Sequence, residues 1–161
     1  MTDNQPSVAD DSSPLVRHAT ADDADVVAQL LDDFNNEFDE PSPGPAALAL
    51  RIRELLTAGD TEVLIGEDGD GLAVLRFRLS IWTQGLECYL AELYVKPVRR
   101  GQGLGRALMN ESIECARQRG SDYMELGTSE TDVAARGLYE SLGFTNRESD
   151  GSFNFFYERE L

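Results

Sequence analysis

The sequence predicts one mixed α/β domain with seven short strands and four helices. Short apolar runs bounded by turn residues alternate with longer amphipathic runs, which is the pattern of a sheet covered by helices. The chain has 161 residues, 41% of them hydrophobic, and this size and composition are typical of one globular domain. The domain is expected over residues 15–161. The preceding polar residues 1–14, rich in Asp and Ser, are predicted to be a disordered tail.

The first half of the domain is predicted to contain two helices and three strands. Thr20, with Asp23 three residues later, resembles a capping box and opens a helix that runs to Phe34. The sequence EPSPGP at 40–45 ends this helix, and a second is predicted over 46–56. The strands are predicted at 15–17, 62–67 and 72–79.

The second half begins with a strand over 87–95 and continues with the longest helix, over 104–119. Apolar residues fall on one half of that helix and polar residues on the other, as expected for a helix that lies on a sheet. A strand, a helix and two final strands follow, predicted in that order at 123–126, 132–142, 144–148 and 153–159.

The charge is strongly unbalanced, with 30 acidic against 14 basic side chains and a formal net charge of −16. Such a field repels nucleic acids and anionic membranes, so neither is expected as a partner, and it attracts cationic ligands. The alternative explanation is that the acidic excess serves solubility or a high-salt cytoplasm.

Few residues are available for metal or nucleophile chemistry. His18 is the only histidine and Lys96 the only lysine, so an HExxH zinc site cannot form and no metal cofactor is expected. Cys88 and Cys115 belong to no CxxC pair and are interpreted as reduced structural thiols. No apolar run reaches the ~18 residues of a membrane span and no signal-peptide pattern is visible, so a cytoplasmic location is expected.

The sequence LYVKPVRRGQGLGRAL at 93–108 predicts a strand–loop–helix that binds pyrophosphate. Alternating glycines directly before the long helix leave room for a ligand beside the N–H groups at its positive end. The glycines are Gly101, Gly103 and Gly105, and the flanking arginines are Arg100 and Arg106. The loop is not the dinucleotide motif GxGxxG, because position 108 is leucine. The alternative is a glycine-rich turn that only lets the helix pack tightly.

Two motifs resemble those of the GNAT acetyltransferases. RGQGLG at 100–105 is similar to the family's signature (Q/R)xxGx(G/A), and LYV before it resembles the family's fourth strand. TDVAARGLYESLGF at 131–144 resembles the second motif, typically NxxAxxLYxxxGF, and RHATADD near the start resembles the usual opening. The resemblance covers residues 16–161. Asp132 stands where the family commonly has Asn, so it is left out of the predicted site.

The resemblance implies a GNAT fold, in which about four helices flank a central mixed, mostly antiparallel sheet of six to seven strands. It implies a splay between strands 4 and 5 that holds the pantetheine arm of acetyl-CoA. Backbone groups of Leu93 and Val95 would pair with that arm. The implied pyrophosphate site consists of Arg100, Gly101, Gln102, Gly103, Leu104, Gly105 and Arg106.

Glu92 is the candidate catalytic base. Strand alternation places Glu92 and Tyr94 on one face of the strand and the apolar Leu93 and Val95 on the opposite face. An ionisable residue in an apolar strand beside the cofactor loop lies where a raised pKa is useful for removing a proton from an amine. In several GNAT enzymes that act on small amines, an acidic residue at this offset helps to hold the acceptor. The alternative is a glutamate that faces solvent or pairs with Arg76 or Arg78 on the neighbouring strand.

Tyr139 is the candidate catalytic acid. In LYESLGF it occupies the position where the family often has a tyrosine beside the CoA sulfur, and a phenol can protonate a departing thiolate. The alternative is a core residue, because Leu138 and Leu142 share its predicted helix.

Acidic and aromatic residues collect where the first predicted helix ends, in FNNEFDEP at 34–41. In the GNAT family this region usually walls the acceptor pocket, and this sequence faintly resembles aminoglycoside 3-N-acetyltransferases. The acidic side chains suit a small cationic amine such as an aminoglycoside or a polyamine. The alternative is a solvated helix end. The candidate acceptor-binding residues are Phe34, Glu37, Phe38, Trp82 and Tyr94, with a dimer edge as the alternative for Trp82.

The sequence therefore predicts an N-acetyltransferase that moves an acetyl group from acetyl-CoA to a primary amine by direct attack. Two alternatives stay open: acetylation of a protein N-terminus or lysine, and a non-catalytic CoA-binding regulatory module. A homodimer is implied only by the family resemblance.

Overall fold

Five strands form one sheet in the computed structural model, which describes residues 15–161. The strands are β1 (Val16–His18), β2 (Thr61–Gly66), β3 (Gly71–Leu79), β4 (Leu86–Val95) and β5 (Ser121–Leu126). The helices are α1 (Ala24–Glu37), α2 (Pro45–Ala58), α3 (Leu104–Gln118) and α4 (Val133–Ser141). The tail predicted at 1–14 lies outside the described residues. None of these helices is both long enough and apolar enough to cross a bilayer.

The strands lie side by side in chain order, from β1 to β5. The pairs β1–β2, β2–β3 and β3–β4 are antiparallel. The pair β4–β5 is parallel, and its strands are joined by the crossover through α3. The expected mixed, mostly antiparallel sheet with four helices is therefore confirmed.

Helices cover both faces of the sheet. Residues of α1 and α2 share one core cluster with Val63 and Ile65, and residues of α3 and α4 share another with Leu64 and Leu90. Successive side chains of a strand point to opposite faces, which is why the buried strand β2 contains the continuous apolar run VLI at 63–65.

Local capping interactions determine where two helices begin. The Thr20 N–H donates to the Asp23 carboxylate over 2.8 Å, so the predicted capping box is present. A 3-10 turn at Ala21–Asp23 precedes the α-helical part, which begins at Ala24. At α4 the carboxylate of Asp132 accepts a hydrogen bond of 3.0 Å from the Ala135 N–H.

β4 and β5 separate halfway along β4, as the family resemblance implied. Their pairing runs from Leu86 opposite Ser121 to Leu90 opposite Leu126 and stops there. On its other edge β4 stays paired with β3 as far as Val95. Residues 91–95 therefore have an unpaired edge in the middle of the sheet.

A β-bulge at Ala91 marks the same point. Leu90 lies opposite Leu75 and Glu92 lies opposite Val74, so Ala91 has no partner on β3. The extra residue shifts the alternation of side chains along β4. Ala91 therefore packs against the α1–α2 core, while Leu93, two residues later, packs against the α3–α4 core.

The two final strands predicted at 144–148 and 153–159 are not formed, so the expectation of six to seven strands was wrong and the sheet has five. One antiparallel bridge, Arg147 to Phe153, connects the two segments across a turn. The side chains of Phe155 and Phe156 are 75% and 71% exposed. Two adjacent phenylalanines break the period of two that lets a strand bury one face, and neither segment pairs with β5.

Candidate active site

The glycine loop leads from β4 to the N-terminus of α3. Gly101 and Gly103 have φ angles of 73° and 88°, a region that residues with a side chain adopt only with strain. Hydrogen bonding inside α3 begins with the Ala107 N–H, which donates to the Gly103 carbonyl over 3.0 Å. The N–H groups of residues 104–106 therefore have no partner within the helix and can bind an anion at its positive end.

The remaining loop residues hold this arrangement in place. The Gln102 side chain donates to the Val98 carbonyl over 2.9 Å and closes the turn. Leu104 is 2% exposed and packs its side chain into the α3–α4 core, so only its backbone faces a ligand. A methyl group at Gly105 would lie 3.6 Å from the Leu138 side chain, which is an ordinary contact. Although α4 packs close to Gly105, there is still space for an alanine at that position.

The arginines around the loop differ in their partners. Arg99 forms ion pairs with Asp68 and Asp70, and Arg100 is likewise paired with a carboxylate. Arg106 has no carboxylate partner within residues 15–161, and its guanidinium donates to the Ser141 hydroxyl over 2.9 Å. Arg106 is therefore the loop arginine whose charge is available to a bound anion.

A cavity of about 410 Å³ lies where β4 and β5 separate. It is lined by residues at and just after the end of α1, by residues 90–93 of β4, by the loop 127–129 after β5, and by Asp132 before α4 and Tyr139 within it. Both candidate catalytic residues, Glu92 and Tyr139, line it. The structure thus brings together two side chains that are distant in sequence, beside the unpaired edge of β4 that carries the backbone of Leu93 and Val95.

Glu92 has no hydrogen-bonding or ion-pairing partner among the described residues, and burial raises the pKa of its carboxyl group. The proposed arginine partners on β3 are engaged elsewhere. Arg78 pairs with Glu87 and Glu125 at 2.6 and 2.8 Å, and Arg76 lies 3.8 Å from Asp60. The alternative that Glu92 pairs with Arg76 or Arg78 therefore finds no support.

Tyr139 belongs to the α3–α4 core and also lines the cavity. Its side chain is 8% exposed, and its ring meets Phe144 edge to face at 6.2 Å. Burial, together with the charge of Asp132, raises the pKa of Tyr139 to about 12. The hydroxyl consequently stays protonated across the neutral range, as a proton donor must before it acts.

Three of the candidate acceptor residues form an aromatic group at the end of α1. Phe34 stacks on Tyr94 with ring centroids 5.2 Å apart, and Phe38 meets Phe34 edge to face at 5.3 Å. Phe34 and Phe38 line the cavity, whereas Tyr94 is 5% exposed and supports them from the core. Glu37, between the two phenylalanines, pairs with Arg100.

Trp82 lies apart from this cavity. It is 88% exposed in the connection between β3 and β4, and Val95, beside the glycine loop, is at the opposite end of β4. Trp82 is absent from the cavity lining. Because Trp82 is exposed, its alternative role at the edge of a dimer stays a prediction.

Sequence reasoning missed three features that shape the cavity. The bulge at Ala91 depends on the register with β3 and has no signal of its own in the sequence. The loop 127–129 could have been suspected from its sequence GTS directly after an apolar strand. Asp132 was left out, yet it lines the cavity and caps α4. An Asp directly before a helical pattern is a recognisable capping signal.

The family model of the acetyltransferase (GNAT) family matches residues 27–144. A mycothiol acetyltransferase of Beutenbergia cavernae is 37% identical in an alignment of 111 residues that covers 65% of this chain and 36% of that protein. A thialysine N-epsilon-acetyltransferase of Sus scrofa is 34% identical over 56% of this chain and 53% of its own length. The chain thus spans about half the length, or less, of these curated relatives.

Solved structures resemble the chain over nearly its whole length. A protein of Arthrobacter sp. FB24, provisionally assigned as an acetyltransferase, is 43% identical with a TM-score of 0.84, over 99% of this chain and all of that one. An aminoglycoside acetyltransferase from an uncultured soil sample, solved with sisomicin, has a TM-score of 0.72 at 17% identity, over 91% of this chain and 96% of that one. The second likeness concerns the fold alone.

If Arg106 binds the pyrophosphate of coenzyme A, replacing it with Gln should remove a charge-assisted contact and weaken coenzyme A binding by about 10- to 100-fold. Isothermal titration calorimetry measures the affinity. Arg117→Gln is the matched control: it removes the same charge from the last turn of α3 and should leave the affinity within about twofold. Equal losses in both variants would show that Arg106 acts only through the overall charge.

Replacing Glu92 with Gln is expected to stabilise the fold at pH 7. Burial raises the pKa of Glu92, so the folded state holds this proton more tightly than the unfolded chain does and loses stability as the pH rises above the ordinary pKa of a glutamate. Below the ordinary pKa of a glutamate the group is protonated in both states, and the gain should vanish. Thermal unfolding at neutral and acidic pH measures the difference. Glu87→Gln is the control on the same strand as Glu92; it breaks the ion pair of Glu87 with Arg78 of β3 and should give no gain at pH 7.

Proposed function

We propose, since this chain belongs to the acetyltransferase (GNAT) family, that it transfers an acetyl group from acetyl-CoA to a small cationic primary amine. One observation supports this proposal above all others. The unpaired carboxylate of Glu92 and the buried phenol of Tyr139 line the same cavity at the strand separation, and β4 leads from this cavity to the glycine loop before α3. Direct acetyl transfer to an amine requires a group that accepts a proton and benefits from one that donates a proton.

The glycine loop fits the pyrophosphate of coenzyme A. It offers free N–H groups at the start of α3, positive φ angles at Gly101 and Gly103, and the unpaired charge of Arg106. The open edge of β4 at Leu93 and Val95 fits the strand-like pantetheine arm. When bound, acetyl-CoA supplies the activated acetyl group as a thioester.

Glu92 binds the acceptor's ammonium group and then accepts its proton, directly or through a water molecule. An alkyl ammonium has a pKa near ~10, so the amine needs a nearby base before it can attack. The raised pKa of Glu92 makes it a better proton acceptor than an exposed carboxylate.

Tyr139 donates a proton to the departing thiolate. Its pKa of about 12 keeps the phenol protonated at the pH of the reaction, and its ring is held by Phe144 and the α3–α4 core. A side chain fixed in this way loses little entropy when it acts.

The acceptor is expected to be small, cationic and partly apolar. Phe34 and Phe38 form one wall of the cavity, and the carboxylates of Glu40 and Glu92 also face it. Rings and carboxylates together suit an amine on an apolar stem. Several relatives are named for small amine-bearing compounds, among them a streptothricin acetyltransferase of Streptomyces lavendulae that is 33% identical over 52% of this chain.

The experiment that tests the proposed function follows thiol release from acetyl-CoA in the presence of aminoglycosides, polyamines, thialysine, amino acids and short peptides. We expect turnover with at least one small amine and much less with the peptides. Turnover with peptides alone would replace the small-molecule acceptor by a protein. Tight acetyl-CoA binding without turnover on any acceptor would favour a regulatory CoA-binding module.

The Glu92→Gln variant is expected to lower kcat/KM by about 10²- to 10⁴-fold, because the proton acceptor is lost. The wild-type rate should fall at acidic pH through a pKa above that of an ordinary glutamate, since burial raises the pKa of Glu92, and the variant should lack this acidic limb. Steady-state kinetics across pH measure both effects.

Glu87→Gln is the control on the same strand, because Glu87 lies outside the cavity and pairs with Arg78. Tyr139→Phe should lower kcat without moving the acidic limb, since the phenol acts on the leaving group and not on the amine. If neither Glu92→Gln nor Tyr139→Phe slows turnover of a good acceptor, both assigned roles are wrong.

A further inference from the structure

Glu37, the last residue of α1, meets Arg100 of the glycine loop in a two-pronged ion pair. Both carboxylate oxygens lie 2.8 Å from guanidinium nitrogens. This parallel geometry is the strongest form of the arginine–carboxylate contact. The pairing with Arg100 holds the pKa of Glu37 below its usual range. A carboxylate engaged in this way is already neutralised and is a poor partner for the cation of an acceptor.

Arg100 also has contacts on its other sides. Its Nε–H donates to the carbonyl of Val95, the last residue of β4, over 2.9 Å. Its guanidinium lies over the ring of Tyr94, 5.8 Å from the centroid. One side chain therefore connects three pieces of the site: the end of α1, the end of β4 and the glycine loop that follows it.

The end of α1 that Arg100 contacts also provides the aromatic wall of the cavity. Phe34 and Phe38 lie three residues before and one residue after Glu37, and both line the cavity. Phe34 stacks on Tyr94, the same ring that lies beneath Arg100. The aromatic wall and the glycine loop are therefore held against each other both by an ion pair and by stacked rings.

We propose that Glu37 is a positioning residue for acetyl-CoA, which acts through Arg100 to hold the glycine loop and the end of β4 in their ligand-binding conformation. The inference rests on the proposed function, because it concerns the binding of that same co-substrate. Arg100 in turn serves the cofactor site through this connection and not as a phosphate ligand. The charge that meets the pyrophosphate comes from Arg106.

Holding the loop in advance matters because its backbone is the binding group. A glycine-rich segment loses much conformational entropy when it is ordered. If the ion pair orders the loop before the ligand arrives, binding does not have to overcome that entropy loss. Breaking the ion pair should consequently weaken acetyl-CoA binding, with little effect on the chemical step.

The test compares Glu37→Gln with wild type by calorimetry with acetyl-CoA and by steady-state kinetics. We expect Kd and KM for acetyl-CoA to rise about tenfold, the effect of losing one charge-assisted contact. The kcat should stay within about threefold. Asp25→Asn is the matched control, because it breaks another ion pair of α1, with Arg53, far from the loop. It should leave both constants unchanged.

A double-mutant cycle adds Arg100→Gln and the double variant. If Glu37 acts through Arg100, the double variant should bind acetyl-CoA no more weakly than Arg100→Gln alone. Additive losses would overturn the proposal. If Glu37→Gln does not fold, Arg100→Gln alone still tests the connection, because it should weaken acetyl-CoA binding while kcat stays within about threefold.

Other outcomes also distinguish the roles of Glu37. A rise in the acceptor KM with unchanged acetyl-CoA affinity would make Glu37 an acceptor ligand and overturn the proposal. A lower melting temperature with unchanged Kd and KM would reduce the ion pair to a structural contact and overturn it as well. Absence of acetyl-CoA binding by the wild type would instead overturn the proposed function itself.

Discussion

Beyond Leu90, strand β4 is paired with another strand on one side only, because the pairing with β3 continues to Val95 while the pairing with β5 ends at Leu126. Unpaired backbone groups inside a sheet are unfavourable unless something else binds them. The gap therefore has the character of a binding site for a strand-like ligand. The glycine loop, the cavity and the candidate catalytic residues all lie around this one interruption of the sheet.

The scarcity of basic side chains gives each arginine near the site a distinct part. With 30 acidic against 14 basic residues, carboxylates outnumber their possible partners. Arg99 and Arg100 are used to hold the loop, whereas Arg106 keeps its charge for a ligand. Glu92 is the counterpart among the acids, because no arginine pairs with it and burial raises its pKa. The selective pairing thus separates structural charges from those available for chemistry.

Features set by local sequence were predictable, and features set by distant pairing were not. The glycine loop, the capping box at Thr20 and the amphipathic helix α3 each depend on residues close together in the chain, and all three were recognised. The bulge at Ala91 and the missing final strands depend on register with a neighbouring strand. The partner of Glu37 lies 63 residues away, so the sequence showed an acidic helix end and not the ion pair that occupies it.

The engagement of Glu37 changes the electrostatics expected at the acceptor. With that carboxylate paired with Arg100, the carboxylates of Glu40 and Glu92 are left to face the ammonium group of the proposed acceptor. Burial favours the protonated form of Glu92, whereas a neighbouring ammonium favours the ionised form. The two effects oppose each other, so an ammonium group bound beside Glu92 would lower the pKa that burial raises. In the proposed reaction the acceptor would therefore itself shift Glu92 towards the ionised form that then removes a proton from it.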